Sequence, residues 1–186
     1  MKILIVTTEI GLEGGGLSLS CKRLANIISN NNSVEIVNSA VAPVQTISGG
    51  FFPQTGNYIQ RELKLKTEAK KYQEIDIVIG FGGKFNGYYA ALLAKHIKAK
   101  YILCLRGSDV NLAKWSVEDS WYLHEASQYA VRIVCLTKEM QQNVLLADQL
   151  AENKLIIIPN SLGREYLGVS FPHLPSSVVI GCAASH

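Results

Sequence analysis

Six apolar runs, KILIVT, VEIV, IDIVIGF, KYILCL, VRIVCL and KLIIIPN, recur along the chain with helical or turn-forming sequence between them. They are largely continuous rather than alternating, so each reads as a strand buried on both faces and not as one lying on a wetted sheet surface. Neighbouring parallel strands need a crossover of a dozen or more residues, usually a helix, and the intervening stretches supply it. The expected fold class is therefore α/β, a doubly wound, mainly parallel, Rossmann-like sheet.

The helices can be placed from their own periodicity. Leu17, Leu24, Ile27 and Ile28 recur at helical spacing after the first run. Further helices are read over YYAALLAKHI, over Val117 to Ala130 and over TKEMQQNVLLAD. The stretch from Asn57 to Glu74 is helical and basic, with Arg61, Lys64, Lys66, Lys70 and Lys71 set against Ile59, Leu63 and Tyr72. Between Asn38 and Gln54 the pattern is ambiguous: VQTI fits a short strand and SGGFFPQTG a loop, while RGSDVN further on reads as a loop.

Sheets of this kind place ligands just beyond the C-terminal ends of their strands. Those ends read TTEIGLEGGG, GFGGKFNG, RGSDVN, TKEM and PNS, which bring Lys84, Arg106, Ser108, Asp109, Thr137, Lys138, Glu139 and Asn160 to one rim. Backbone N–H groups, hydroxyls and a few charges of both signs suit a sugar or a phosphorylated ligand. The loop with Gly14, Gly15 and Gly16 precedes a helix whose N-terminus favours anions. It carries neither G-x-G-x-x-G nor G-x-x-x-x-G-K-[ST], and Glu9 and Glu13 oppose a bare phosphate unless they point away. Gly82 and Gly83 permit either a close ligand or tight strand-to-helix packing. Asp109 and Ser108 fit a turn-stabilising role as well as a ligand-binding one, and Thr137 reads as a helix cap. Arg106 is the strongest candidate, because a cation ending a buried strand needs a partner or a ligand.

Composition excludes several alternatives. A chain of 186 residues with 48% hydrophobic content can bury one sizeable core, so a second complete domain is not expected within it. A net charge of +3 is too small for a nucleic-acid-binding face. The apolar stretch ILIV at the start is too short for a signal peptide or a membrane span, which gives a cytoplasmic expectation. Cys21, Cys104, Cys135 and Cys182 lack C-x-x-C spacing and read as buried thiols. His96, His124, His173 and His186 are scattered without metal-ligand spacing, and His124 reads as an ordinary half-buried helix residue. The basic stretch, with Phe51 and Phe52 before it, reads either as a solvated face interrupted by Glu62, Glu68 and Glu74 or as a contact with an anionic membrane at the inner face.

Taken in order, KILIVT with EGGGLSLSCKRLANIIS, IDIVIGFGG, LRGSDV, RIVCLTKEM, and KLIIIPNS leading to VVIGCAAS resemble the N-terminal domain of the retaining GT-B glycosyltransferases of family four, over essentially the whole chain. The resemblance implies residues 1–168 as a Rossmann-like acceptor-side domain, and 169–186 as a linker and the first strand of a truncated donor-binding domain. It implies a nucleotide-sugar donor as substrate and no cofactor or metal. The acceptor would be a saccharide or lipid-linked molecule in polysaccharide or cell-envelope synthesis. It places Gly15, Gly16, Gly83, Lys84, Arg106, Ser108 and Asp109 on the substrate-binding side, with catalytic residues unassigned. Where many members have a histidine, this chain has Arg106, which cannot act as a base but can hold a phosphate or an acidic acceptor bidentately. PNSLG replaces the family's Pro-Asn-Gly turn. With the donor-binding half missing, the fragment is expected to be inactive. The alternative reading is a non-catalytic subunit of a split transferase, or a stand-alone sugar- or nucleotide-binding module.

Overall fold

The computed structural model describes residues 1–8, 16–38, 65–111 and 113–160. The first apolar run forms β1 (Lys2–Thr7), and its successive side chains leave the sheet on opposite sides. Ile3 and Ile5 join Ile79, Phe81 and Cys104 on one face, while Leu4 and Val6 join Val78, Leu103 and Ile133 on the other. Both sets are buried, which is why the run shows no polar alternation.

After β1, helix α1 (Gly16–Ser29) leads to β2 (Ser33–Asn38), and β3 (Ile77–Phe81) follows. Then come α2 (Phe85–Ile97), β4 (Lys100–Cys104), α3 (Val117–Tyr129), β5 (Arg132–Cys135), α4 (Lys138–Ala147) and β6 (Leu155–Ile157). The sheet order is β2-β1-β3-β4-β5-β6, and all five pairings are parallel. Strand β1 is the hub, with Ile5 opposite Ile36 of β2 on one side and Ile79 of β3 on the other. The chain reverses direction across the sheet there, so the crevice at the C-terminal ends of β1 and β3 is the topological switch point.

The two faces are covered unequally among the described residues. Cys21 and Ala25 of α1 pack on Ile3, Ile5 and Phe81. The opposite face receives α2, α3 and α4, together with Leu65, Ala69 and Tyr72 from the segment ahead of β3. Of the basic stretch, residues 65–69 are helical and Lys70–Tyr72 form a 3₁₀ turn, and residues 57–64 lie outside the described part.

Two expectations need adjustment, and two further segments are outside what is described. Leu155–Ile157 is an edge strand, so Ile156, Ile157 and Ile158 stay partly exposed despite the apolar sequence. Within RGSDVN, Ser108–Asn111 closes into one helical turn, with the Gly107 carbonyl accepting from Val110 N and Asn111 N. The tail strand VVIGCAAS and the VQTI segment lie outside the described residues. Among those described, no helix is long and apolar enough to cross a membrane.

Helix ends follow the local chemistry. Thr137 caps α4 by accepting from Met140 N at 3.1 Å, and Ser116 caps α3 by accepting from Asp119 N at 3.2 Å. Lys98 ends α2 in a left-handed conformation at φ 60°, and its N–H reaches back to the Ala94 and Lys95 carbonyls.

Candidate functional site

Two glycines set the loops after β3 and β4. Gly82 and Gly107 sit at φ 119° and 128°, which L side chains rarely adopt. Gly82 N donates to the Cys104 carbonyl at 2.8 Å, and the buried Asn86 amide donates to the Phe81 carbonyl. The end of β3 is therefore tied both to β4 and to the first turn of α2.

Asp109 locks these two loops together. Its carboxylate accepts from Gly83 N at 2.7 Å, Gly107 N at 2.7 Å, Arg106 N at 3.0 Å and Val110 N at 3.1 Å. The residue is only 6% exposed, so its charge is balanced by oriented backbone N–H groups rather than by water. One side chain thereby fixes the backbone of both Gly83 and Arg106.

With its backbone held, Arg106 projects over the end of the sheet. The guanidinium carbon lies 4.6 Å from the centroid of the Phe81 ring, and Nη2 donates to Asn160 Oδ1 at 2.7 Å. Partial burial pulls its pKa below the ordinary arginine value, a desolvation effect that the nearby Asp109 charge offsets only in part. Among the described residues no carboxylate forms an ion pair with it.

Arg106 faces a cleft of about 420 Å³ that Gly16, Leu17, Ser20, Ser108 and Asn160 also line. Gly16 opens α1, and Ser20 stands one turn later on the same side of the helix. Of the residues singled out from the sequence, Gly16, Arg106, Ser108 and Asn160 are brought together here. Gly15 lies outside the described residues. Asp109 points into the protein, and Gly83 supplies it with an N–H. Lys84 Nζ is held by Asp119 Oδ2 at 2.8 Å in the first turn of α3, and Lys84 does not line the cleft. Leu17 is the addition that sequence reasoning did not select, while Ser20, at the start of α1, reads equally as a capping or exposed residue and as a ligand contact. The i,i+4 spacing of Gly16 and Ser20 was the available signal.

A larger concavity of about 490 Å³ is lined by Ala113, Trp115, Ser116, Val117, Ser120, Trp121, His124 and Ala147. Among the described residues its lining holds neither a lysine nor an arginine, and it lies off the β1/β3 switch point, so the smaller cleft is the candidate site. Among the described residues, no cluster of His, Cys, Asp and Glu has the makings of a metal site.

Beside the cleft, Cys21 and Cys104 are buried free thiols, as is Cys135 on the other face. Burial pushes Cys21 and Cys135 up to about 11 and Cys104 up to about 12. Each native thiol then keeps its proton while the unfolded chain ionises around the ordinary thiol value of 9.0. Their contribution to stability is intact below that value and declines as pH rises through it toward the folded values. Native protein treated with iodoacetamide at about pH 8 should leave these three residues unmodified in a peptide map, because the thiolate is the reactive form. Urea-unfolded protein should be alkylated at all three. Rapid native modification of Cys21 would contradict this burial.

No protein-family model matches the chain. An uncharacterized glycosyltransferase from Methanocaldococcus jannaschii is 24% identical over 111 residues, which is 60% of this chain and 31% of that protein. Among solved structures, Anabaena HepE in complex with UDP and glucose superposes with a TM-score of 0.66 at 14% identity, covering 87% of this chain and 45% of that one. The UDP-GlcNAc 2-epimerase of Methanocaldococcus jannaschii gives 0.58 at 18% identity, over 84% and 45%. The Neisseria meningitidis UDP-GlcNAc 2-epimerase bound to UDP-GlcNAc gives 0.59 at 15% identity, over 84% and 45%. The chain thus spans about a third of the sequence relative and just under half of each structural neighbour. What these likenesses define is the fold, a Rossmann-like α/β domain that covers just under half of each solved chain.

Proposed function

We propose that this chain is the acceptor-side N-terminal domain of a nucleotide-sugar-dependent glycosyltransferase. The full enzyme would pass a hexose, with retention of configuration, to a saccharide or glycolipid acceptor in polysaccharide or cell-envelope assembly. The observation that carries the reading is the cleft beyond the C-terminal ends of β1 and β4, where the α1 N-terminus, two hydroxyls and an arginine with no carboxylate ion pair among the described residues converge. Support also comes from the sequence relative, a glycosyltransferase, and from a neighbour whose structure holds UDP and glucose.

In this reading the chain forms one wall of the active-site cleft. Gly16 and the α1 N-terminus present N–H groups and a partial positive charge, while Ser20 and Ser108 offer hydroxyls to sugar oxygens. Sugar transfer releases a nucleoside diphosphate, and the partial positive charge at the α1 N-terminus, aimed at that developing negative charge, lowers the barrier. The opposing wall, with most donor contacts, belongs to a C-terminal domain. The working location is the cytoplasm, with the basic stretch touching the inner membrane face where the acceptor is lipid-linked.

The test is acceptor-dependent release of UDP by the intact protein incubated with UDP-hexoses and candidate saccharides. Product NMR should show the donor's anomeric configuration preserved. Conversion of one UDP-sugar into another without an acceptor would mark an epimerase and overturn the reading. Binding of nucleotide sugars without any turnover would favour a non-catalytic module instead.

A further inference from the structure

We propose that the acceptor is acidic, and that Arg106 recognises its carboxylate or phosphate in the cleft beside α1. The inference rests on the transferase reading and specifies what enters that same site. A guanidinium has five N–H donors in a planar fork suited to an oxyanion, and the structure commits one of them, to Asn160. Stacking on Phe81 fixes the plane of the fork, and the Asp109 clamp fixes the backbone from which it springs. The cation is partly desolvated, yet no carboxylate pairs with it among the described residues. Asp109 acts on it only as a nearby charge, without a direct ion pair, so an incoming anion would supply the oxyanion that the fork contacts.

The surroundings decide which kind of anion fits. Among the described residues, the cleft lining holds one cation, two hydroxyls, an amide, a glycine at a helix start and a single apolar side chain, Leu17. A nucleotide would ask for a flat apolar platform for its base and for more than one positive group for its phosphates. The Phe81 ring is already covered by the guanidinium. One oxyanion carried on a hydroxyl-rich ring matches the lining, with the ring oxygens meeting Ser20, Ser108 and the Asn160 amide. A sugar acid and a sugar phosphate share this chemistry.

The experiment measures binding by calorimetry on the intact protein, using glucuronate, glucose 6-phosphate, glucose and UDP as separate probes. Glucuronate or glucose 6-phosphate should bind while glucose shows no heat at the same concentrations. Arg106→Gln should weaken the acidic probe by roughly ten- to a hundredfold, the size of a charge-assisted hydrogen-bonded pair, and leave UDP affinity within about twofold. Arg106→Lys keeps the charge but loses the fork, and should fall between, so a poorly folded Gln variant does not end the test. Equal binding of glucose and glucuronate would overturn the proposal, as would loss of UDP affinity in both variants, which would give Arg106 to the donor. These readouts need no turnover. Failure here leaves the transferase assay standing, and failure of that assay leaves these affinities interpretable.

Discussion

Asp109→Ala is expected to lower folding stability by about 3 kcal/mol or more, with the melting temperature falling by roughly 6–12 °C. The reason lies in what the substitution leaves behind. Four backbone N–H groups, of Gly83, Arg106, Gly107 and Val110, converge on one carboxylate that is 6% exposed. Removing it leaves the N–H groups of Gly83, Arg106 and Gly107 without their acceptor where water replaces the lost bonds poorly, while Val110 N keeps the Gly107 carbonyl, and each unsatisfied buried group costs on the order of 1–3 kcal/mol. Partial entry of water through the cleft keeps the total below a simple sum. Asp109→Asn retains one acceptor oxygen and should lose less. Thermal denaturation of the two variants measures the difference, and an alanine variant melting within about 2 °C of the parent would show that the clamp carries little weight.

Gly87→Ala should also destabilise, against the usual sign for a helix interior. Alanine normally gains about 0.5–1 kcal/mol over glycine there, because glycine gives up more backbone freedom on folding. Here a Cβ on Gly87 would fall on the Gly82 carbonyl oxygen and lie 3.1 Å from Leu103 Cδ1. Gly82 cannot give way easily, since its own φ of 119° and its bond to Cys104 hold the peptide in place. The first turn of α2 must then lift off the β3 loop, at a net cost of about 1–3 kcal/mol. Gly16→Ala is the control: a Cβ there meets nothing within 4 Å among the described residues, so its melting temperature should stay near the parent's. Denaturant melts of both variants decide the matter. A Gly87→Ala protein more stable than the parent would show that the helix can shift freely.

Strand positions were readable in advance because parallel strands between helices bury both faces, and that burial writes itself as uninterrupted apolar sequence. β6 reads the same way in letters but sits at the sheet edge, where Ile157 and Ile158 remain partly exposed. A one-dimensional pattern cannot tell an edge from a centre. The single turn Ser108–Asn111 is too short to show a helical period. Arg106, Ser108 and Gly16 could be chosen because they follow strand ends or open a helix. The direction of a side chain was not readable: Asp109 and Ser108 are adjacent, yet one turns inward to backbone donors while the other lines the cleft. Lys84 found its partner in Asp119, thirty-five positions away in sequence, through packing of α3 beside α2 that no local motif encodes.

The tetrapeptide Arg106-Gly107-Ser108-Asp109 divides its labour by position. Gly107 and Asp109 satisfy demands of the backbone itself, a positive φ and a cluster of N–H groups. Arg106 and Ser108 spend their side chains on the cleft. Substitution at the second pair can therefore retune what the cleft accepts while the frame stays intact. A lineage carrying this loop could exchange ligands by changing two codons, without first having to evolve a new loop.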